Sequence, residues 1–290
     1  MARRVVSYST RNFFLNVNIY IPPSDFWWTA WTFDPGIWFT ILLLHGAYLV
    51  VVGPLRAKFP HSQPVTSVQL FCWTAGILTL VLGLVTPLST LADQYLFSAH
   101  MLQHILVTLI APPLMLLGLP AWVFEPLLRV PWLLRLARSL TRPLAAFLIF
   151  NVTFAAWHIP ALYNLALYAA PVHLLEHFTM VFAAFLLWMP VLSPTPLLPR
   201  APLPVQVLYI FLSSVLSTGL GALITLAKQP IYIFYAQAPR IWGISVLDDQ
   251  VVAGLIMWAG AAAIFLLALS IVFFYWFGAK GPIQGEHEFV

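Results

Sequence analysis

Charge is what this sequence has least of. Only 8% of its 290 residues are Asp, Glu, Lys or Arg, against 61% hydrophobic residues. A soluble domain carries about 25% charged residues to hold a hydrated surface. The composition therefore excludes a water-facing globule and implies a chain solvated by lipid. The net charge of +4 is not gathered into a nucleic-acid-binding face, so it bears on orientation and lipid headgroups instead. Cysteine is almost absent. Cys72 stands alone, which excludes an internal disulfide and a thiolate metal cage. Within an apolar run it reads as a small buried residue. Arg3, Arg4 and Arg11 are followed by no apolar leader with a small-residue cleavage site, so a cleavable signal peptide is not expected. A paired repeat of broken helices, the mark of many transporters, is missing too.

Long apolar runs are what the chain does have. Judged against the ~20 residues a span needs, they fall at 36–53, 68–86, 95–119, 143–158, 171–192, 204–227 and 249–277. The expected fold is all-α: one polytopic bundle of about seven spans. Residues 1–35 form an aromatic-rich lead, 36–278 the membrane domain and 279–290 a polar tail. In the lead, Trp27, Trp28 and Trp31 suit either a headgroup-level belt or a loop packed on the bundle. Pro112 and Pro113 are expected to kink or break the third span. Asn151 and Gln206 are expected to bond across helices.

Basic residues set the orientation. Arg56, Lys58, the cluster Arg129, Arg135, Arg138 and Arg142, and Arg200 follow the first, third and fifth spans, and Lys280 follows the seventh. The loops after spans two and four hold no Lys or Arg, and Lys228 and Arg240 after span six are offset by Asp248 and Asp249. This places the N-terminus outside and the C-terminus in the cytoplasm.

The histidines then become informative. His100 and His104 open the third span in FSAHMLQH, and His173 and His177 open the fifth in PVHLLEHFTM. Residues i and i+4 share a helix face, so each pair presents two imidazoles together. His158 closes span four, Asp249 opens span seven, Asp93 precedes span three and His45 lies in the outer half of span one. All reach the outer side; His61 and His287 lie elsewhere.

Polar groups within a span are costly and must find partners. A metal ion satisfies several imidazoles at once, and an outer-facing pocket without thiolates fits copper or zinc. His100, His104, His173 and His177 are the ligand candidates. His158 and His45 are second choices, with capping or helix contact as the structural alternatives. Asp249, Asp93 and Glu176 are candidate carboxylate ligands or acceptors for an imidazole N–H, Asp249 above all as an orienter. Met101, Met180 and Met257 suit Cu(I) chemically but serve equally as packing. HLLEH also matches the inverted zinc-protease pattern, without that pattern's soluble context. Two further readings stay open: bis-histidine binding of a b-type haem between helices, and a metal-free scaffold in which the imidazoles bond one another.

Several segments together resemble one family, the CtaG-type assembly factors of caa(3)-type cytochrome c oxidase. They are FSAHMLQH with APPLMLLGLP (97–104 and 111–120), WHIPALYNLAL (157–167), HLLEH with LLWMP (173–177 and 186–190), and DDQVVAGLIMW (248–258). The resemblance implies a non-catalytic role in maturing a haem–copper oxidase in the bacterial inner membrane. It carries over His100, His104, His158, His173, His177, Asp249 and Gln250 as motif positions. The partners it implies are the oxidase subunits, membrane lipid and a periplasmic copper chaperone, and no nucleic acid.

Overall fold

The computed structural model describes residues 19–59 and 61–279. Arg3, Arg4, Arg11, Lys280 and His287 lie outside the described residues. Eleven helices carry the architecture below: α1 Pro35–Val52, α2 Ser67–Leu84, α3 Pro87–Gln94, α4 Phe97–Gly118, α5 Pro131–Leu140, α6 Pro143–Trp157, α7 Pro160–Tyr168, α8 Ala170–Leu192, α9 Leu203–Leu226, α10 Ile233–Gln237 and α11 Val246–Gly278. Six are long and apolar enough to cross a membrane: α1, α2, α4, α8, α9 and α11. The expected fourth span, α6, has only 15 residues. At 1.5 Å per residue it covers about 22 Å, short of a ~30 Å hydrocarbon core. It meets α5 at a bend of 68°, and the pair counts as a seventh span if taken together.

Helix starts follow the sequence. Asp34 accepts from the Gly36 and Ile37 amides ahead of Pro35. Thr66 and Gln69 close a capping box on α2, which satisfies donors that the first turn leaves orphaned. Pro112 and Pro113 do not break α4. A π-turn at Leu106–Ile110 precedes them and the helix continues to Gly118. Proline offers no N–H and crowds the preceding turn, and the wider π-turn gives its rings room. The carbonyls there find partners: the Thr108 hydroxyl donates to the His104 carbonyl at 2.6 Å, and Trp188 Nε1 donates to the Thr108 carbonyl at 3.3 Å. Asn151 and Gln206 do not reach across helices. Asn151 donates to the Phe147 carbonyl one turn back, and Gln206 to the Ala201 carbonyl.

Burial ranks the spans. In the apolar stretches of α4 and α8, the helices with the histidine pairs, 61% and 56% of residues are buried, against 17% for α1. The paired imidazoles thus sit at the centre of the bundle, while Leu42, Leu43 and Val50 of α1 stay exposed and suit lipid. α9 and α11 touch backbone to backbone. A Cβ on Gly254 would stand 2.6 Å from the Thr225 amide nitrogen, and one on Gly221 2.7 Å from that of Trp258. Only glycine permits this approach, and it fixes the height of α11 against the rest.

The lead packs on the bundle. Ile19–Tyr20 pairs in parallel with Arg240–Ile241. Tyr20 stacks on Tyr95 and Trp27 on Trp242, while Trp28 remains 82% exposed. At the opposite end Arg138 Nε donates to the Leu197 carbonyl at 3.1 Å. The basic segments after α4 and after α8 therefore meet at the end away from the histidines.

Candidate metal centre

His100 and His104 lie in the first turns of α4, and His173, Glu176 and His177 in the first turns of α8. On α8, steps of three and four residues put 173, 176 and 177 on one face, turned toward α4. Ring centroids are 4.3 Å apart within each pair, 5.8 Å between His100 and His173, and 6.0 Å between His104 and His177. His158, at the end of α6, stands 6.1 Å from His104. Two overlapping ligand sets result: His100, His173 and His177; and His100, His104 and Glu176. In each set, one ligand atom per residue lies within 4.8 Å of the others.

Hydrogen bonds fix the ring tautomers. The Tyr235 hydroxyl lies 2.7 Å from the Ala92 carbonyl and 3.0 Å from His100 Nδ1. A carbonyl only accepts, so the single phenolic hydrogen goes to Ala92. His100 Nδ1–H must then donate to the Tyr235 oxygen, which leaves the Nε2 lone pair free. Burial raises the Tyr235 phenol well above its ordinary range, so the hydrogen stays on. His158 repeats the device: Nδ1–H donates to the Phe154 carbonyl at 2.7 Å, leaving Nε2 buried and unpartnered. An imidazole whose N–H is held by an oxygen while its other nitrogen stays open is the usual state of a metal ligand.

Free ligand atoms collect at the centre. His100 Nε2 and His104 Nε2 are 2.8 Å apart, so His104 Nε2–H donates to His100 in the absence of an ion. Glu176 Oε1 lies 3.7 Å from His104 Nε2 and 4.0 Å from His100 Nε2. Both Glu176 oxygens, His173 Nε2 and His177 Nε2 lack hydrogen-bond partners, although Glu176 is only 1% exposed. Two atoms each about 2.0–2.1 Å from one ion stand roughly 3.3 Å apart at the tetrahedral angle. The spacing here is of that order.

The remaining candidates divide. Asp93 stands at the rim, its Oδ1 3.6 Å from His173 Nε2 and its Oδ2 accepting from Ser89 Oγ at 3.1 Å. Burial pushes its carboxyl up to about 7, and the Ser89 hydrogen bond opposes this. Asp249 contacts no imidazole. Its oxygens accept from the Phe97 and Ser98 amides at 2.8 and 3.0 Å and from the Ser98 hydroxyl. Those amides are orphan donors at the start of α4, and a carboxylate at a helix N-terminus is the group that satisfies them best. Asp249 thus orients the helix that carries His100 and His104, not an individual ring. Gln250 ties down the preceding loop, accepting from the Ile231 amide and donating to the Gln229 carbonyl. His45 lies on α1, which packs on α2, and joins neither ligand set. Met101 packs with Phe97, Tyr163 and Met257 in an apolar cluster.

Tyr235 escaped the sequence reading. Its signal was weak: Tyr232 and Tyr235 at helical spacing in the short segment before the last span. Tyr235→Phe keeps the ring and removes the oxygen that holds His100 Nδ1–H. It is expected to weaken ion binding by about 10–100-fold, the range for losing a group that orients a ligand, and to lower the melting temperature, because the buried Ala92 carbonyl and His100 Nδ1–H both lose their partner. Competition against a chromophoric chelator measures it.

A multi-span helical membrane protein with an imidazole–carboxylate cluster buried under one rim is the class these observations define. Within that class, the family model for the cytochrome c oxidase caa3 assembly factor (CtaG) matches residues 46–279, most of the chain, and the chain belongs to that family. No curated protein and no solved structure matches it.

Proposed function

We propose that the chain holds copper at the cluster of His100, His104, His173, His177 and Glu176 and delivers it to subunits of a haem–copper oxidase. It does so as a non-catalytic factor at the outer face of the bacterial inner membrane, with copper received from a periplasmic chaperone. One observation carries this reading: ligand atoms from two central helices converge, and those of His173, His177 and Glu176 lack hydrogen-bond partners of their own. Buried polar atoms require partners, and an ion is the one partner that serves all of them. Imidazole nitrogen suits copper and zinc alike; the family's client, a cytochrome oxidase, selects copper as cargo. A bound haem is supported less. The cavity against His104 holds about 20 Å³, far less than a porphyrin occupies.

The test is metal content. Purified wild-type protein is expected to bind Cu(I) or Cu(II), and the His100→Ala/His104→Ala/His173→Ala/His177→Ala variant to bind neither. A strain carrying that variant is expected to lose oxidase activity. Copper at background in the wild type, with oxidase subunits still co-purifying, would instead support the metal-free scaffold. A Soret band would support the haem.

A further inference from the structure

We infer that the centre is two ion positions in series, an outer all-imidazole one and an inner one closed by Glu176, with His100 common to both. This rests on the copper reading above and deepens it by giving the ion a route and an end point. The outer set is His100, His173 and His177; the inner set is His100, His104 and Glu176.

Three observations separate the positions. The first is access. The side chain of His173, which belongs to the outer set alone, is 18% exposed, whereas those of His104 and Glu176, which belong to the inner set alone, are 4% and 1% exposed. The second is depth. His104 and Glu176, the residues peculiar to the inner set, both lie about one turn in from the level of His173, whereas the outer set reaches the rim at His173 and meets the deeper level only through His177. The third is chemistry. The outer set has three neutral imidazoles. The inner set replaces one with a carboxylate, which offsets part of the ion's charge where water is excluded. The Glu176 oxygens are buried and have no other partner.

Sharing His100 makes the positions mutually exclusive, so the ion moves singly. Passage inward is ligand exchange without a change of oxidation state. His173 and His177 release the ion, His104 Nε2 and Glu176 take it, and His100 stays bound throughout. The proton on His104 Nε2 is displaced, and the unpartnered Nδ1 of the same ring can take it up. The inner position is therefore the holding site, and the outer one governs loading and release. Asp93 stands beside His173 at the rim, 3.6 Å from its Nε2.

Cu(II) added to the full-length protein in detergent tests this, with pulsed EPR counting coordinated imidazoles and a chelator measuring escape. Wild type is expected to bind one equivalent and settle with two imidazoles. Glu176→Gln keeps the shape and removes the charge. It is expected to retain copper with three imidazoles and to lose it to the chelator about tenfold faster or more. His173→Ala is expected to keep the two-imidazole end state while loading about tenfold more slowly. His104→Gln serves as a second inner variant and should behave as Glu176→Gln does. Wild type that binds copper, with inner and outer variants altering end state and loading alike, would mean one undivided site and overturn the two positions alone. Wild type that binds no copper would overturn the copper reading and this one with it.

Discussion

Replacing His100 and His104 together by alanine is expected to lower copper affinity by more than ~100-fold, while His45→Ala leaves it at the wild-type value. The two outcomes follow from position, since His100 and His104 lie in the first turns of α4 whereas His45 lies past the midpoint of α1. His100 and His104 are fully or almost fully buried, their Nε2 atoms are 2.8 Å apart, and both belong to the inner ligand set with Glu176. Losing a group that merely orients a ligand costs about 10–100-fold in metal affinity, and these are the ligands themselves. His45 is carried by α1, the least buried of the spans, and belongs to neither set. Titration against a chelator of known affinity separates the cases. Equal losses in both variants would place the ion outside the cluster.

The membrane architecture was legible because hydropathy acts along the chain. Runs of about 20 apolar residues have few alternatives to a spanning helix, and six of the seven expected runs became long helices. The fourth shows the limit of that rule. Residues 143–157 hold no charged side chain, but His158, Ile159 and Pro160 end the helix. Proline disfavours helical geometry in the residue before it, and Ile159 is extended. The two histidine pairs were legible for the same local reason. An i,i+4 spacing fixes relative direction within one helix whatever surrounds it. That the pairs face each other required α4 and α8 to be central neighbours, which their spacing alone does not contain.

What stayed hidden were partnerships across distance. Tyr235 meets His100 across 135 residues and Asp249 meets Ser98 across 151. Asp249 was expected to orient an imidazole because a carboxylate near histidines commonly does so. It is instead taken up by a helix start that has no cap of its own: Leu96 stands at the N-cap position of α4 and supplies no side-chain acceptor. The need for an outside acceptor was readable in that leucine; which residue would meet it was not. His158 depends on distance in the same way. Its place before Pro160 left capping and ligation both open: Nδ1–H caps the helix end by donating to the Phe154 carbonyl, while Nε2 has no partner and the ring stands 6.1 Å from that of His104.

Asp249→Ala is accordingly expected to destabilise the protein even with no metal present. The carboxylate is 2% exposed and accepts from two backbone amides and one hydroxyl. Alanine would leave those donors buried without partners, at about 1–3 kcal/mol for each unsatisfied group. A loss of roughly 3 kcal/mol is a large share of the ~5–15 kcal/mol that usually holds a fold together. Thermal unfolding of metal-stripped protein in detergent reads this directly. Asp249→Asn keeps one acceptor oxygen but turns an amide donor toward another donor, so it should fall between wild type and alanine. Copper affinity should drop in both variants in step with stability, because His100 and His104 lie on the turns that Asp249 anchors. A ligand or an orienter of one ring would behave differently: its loss would weaken copper binding and leave the metal-free melting temperature in place. That pattern would return Asp249 to the metal centre and leave the start of α4 without an account of what holds it.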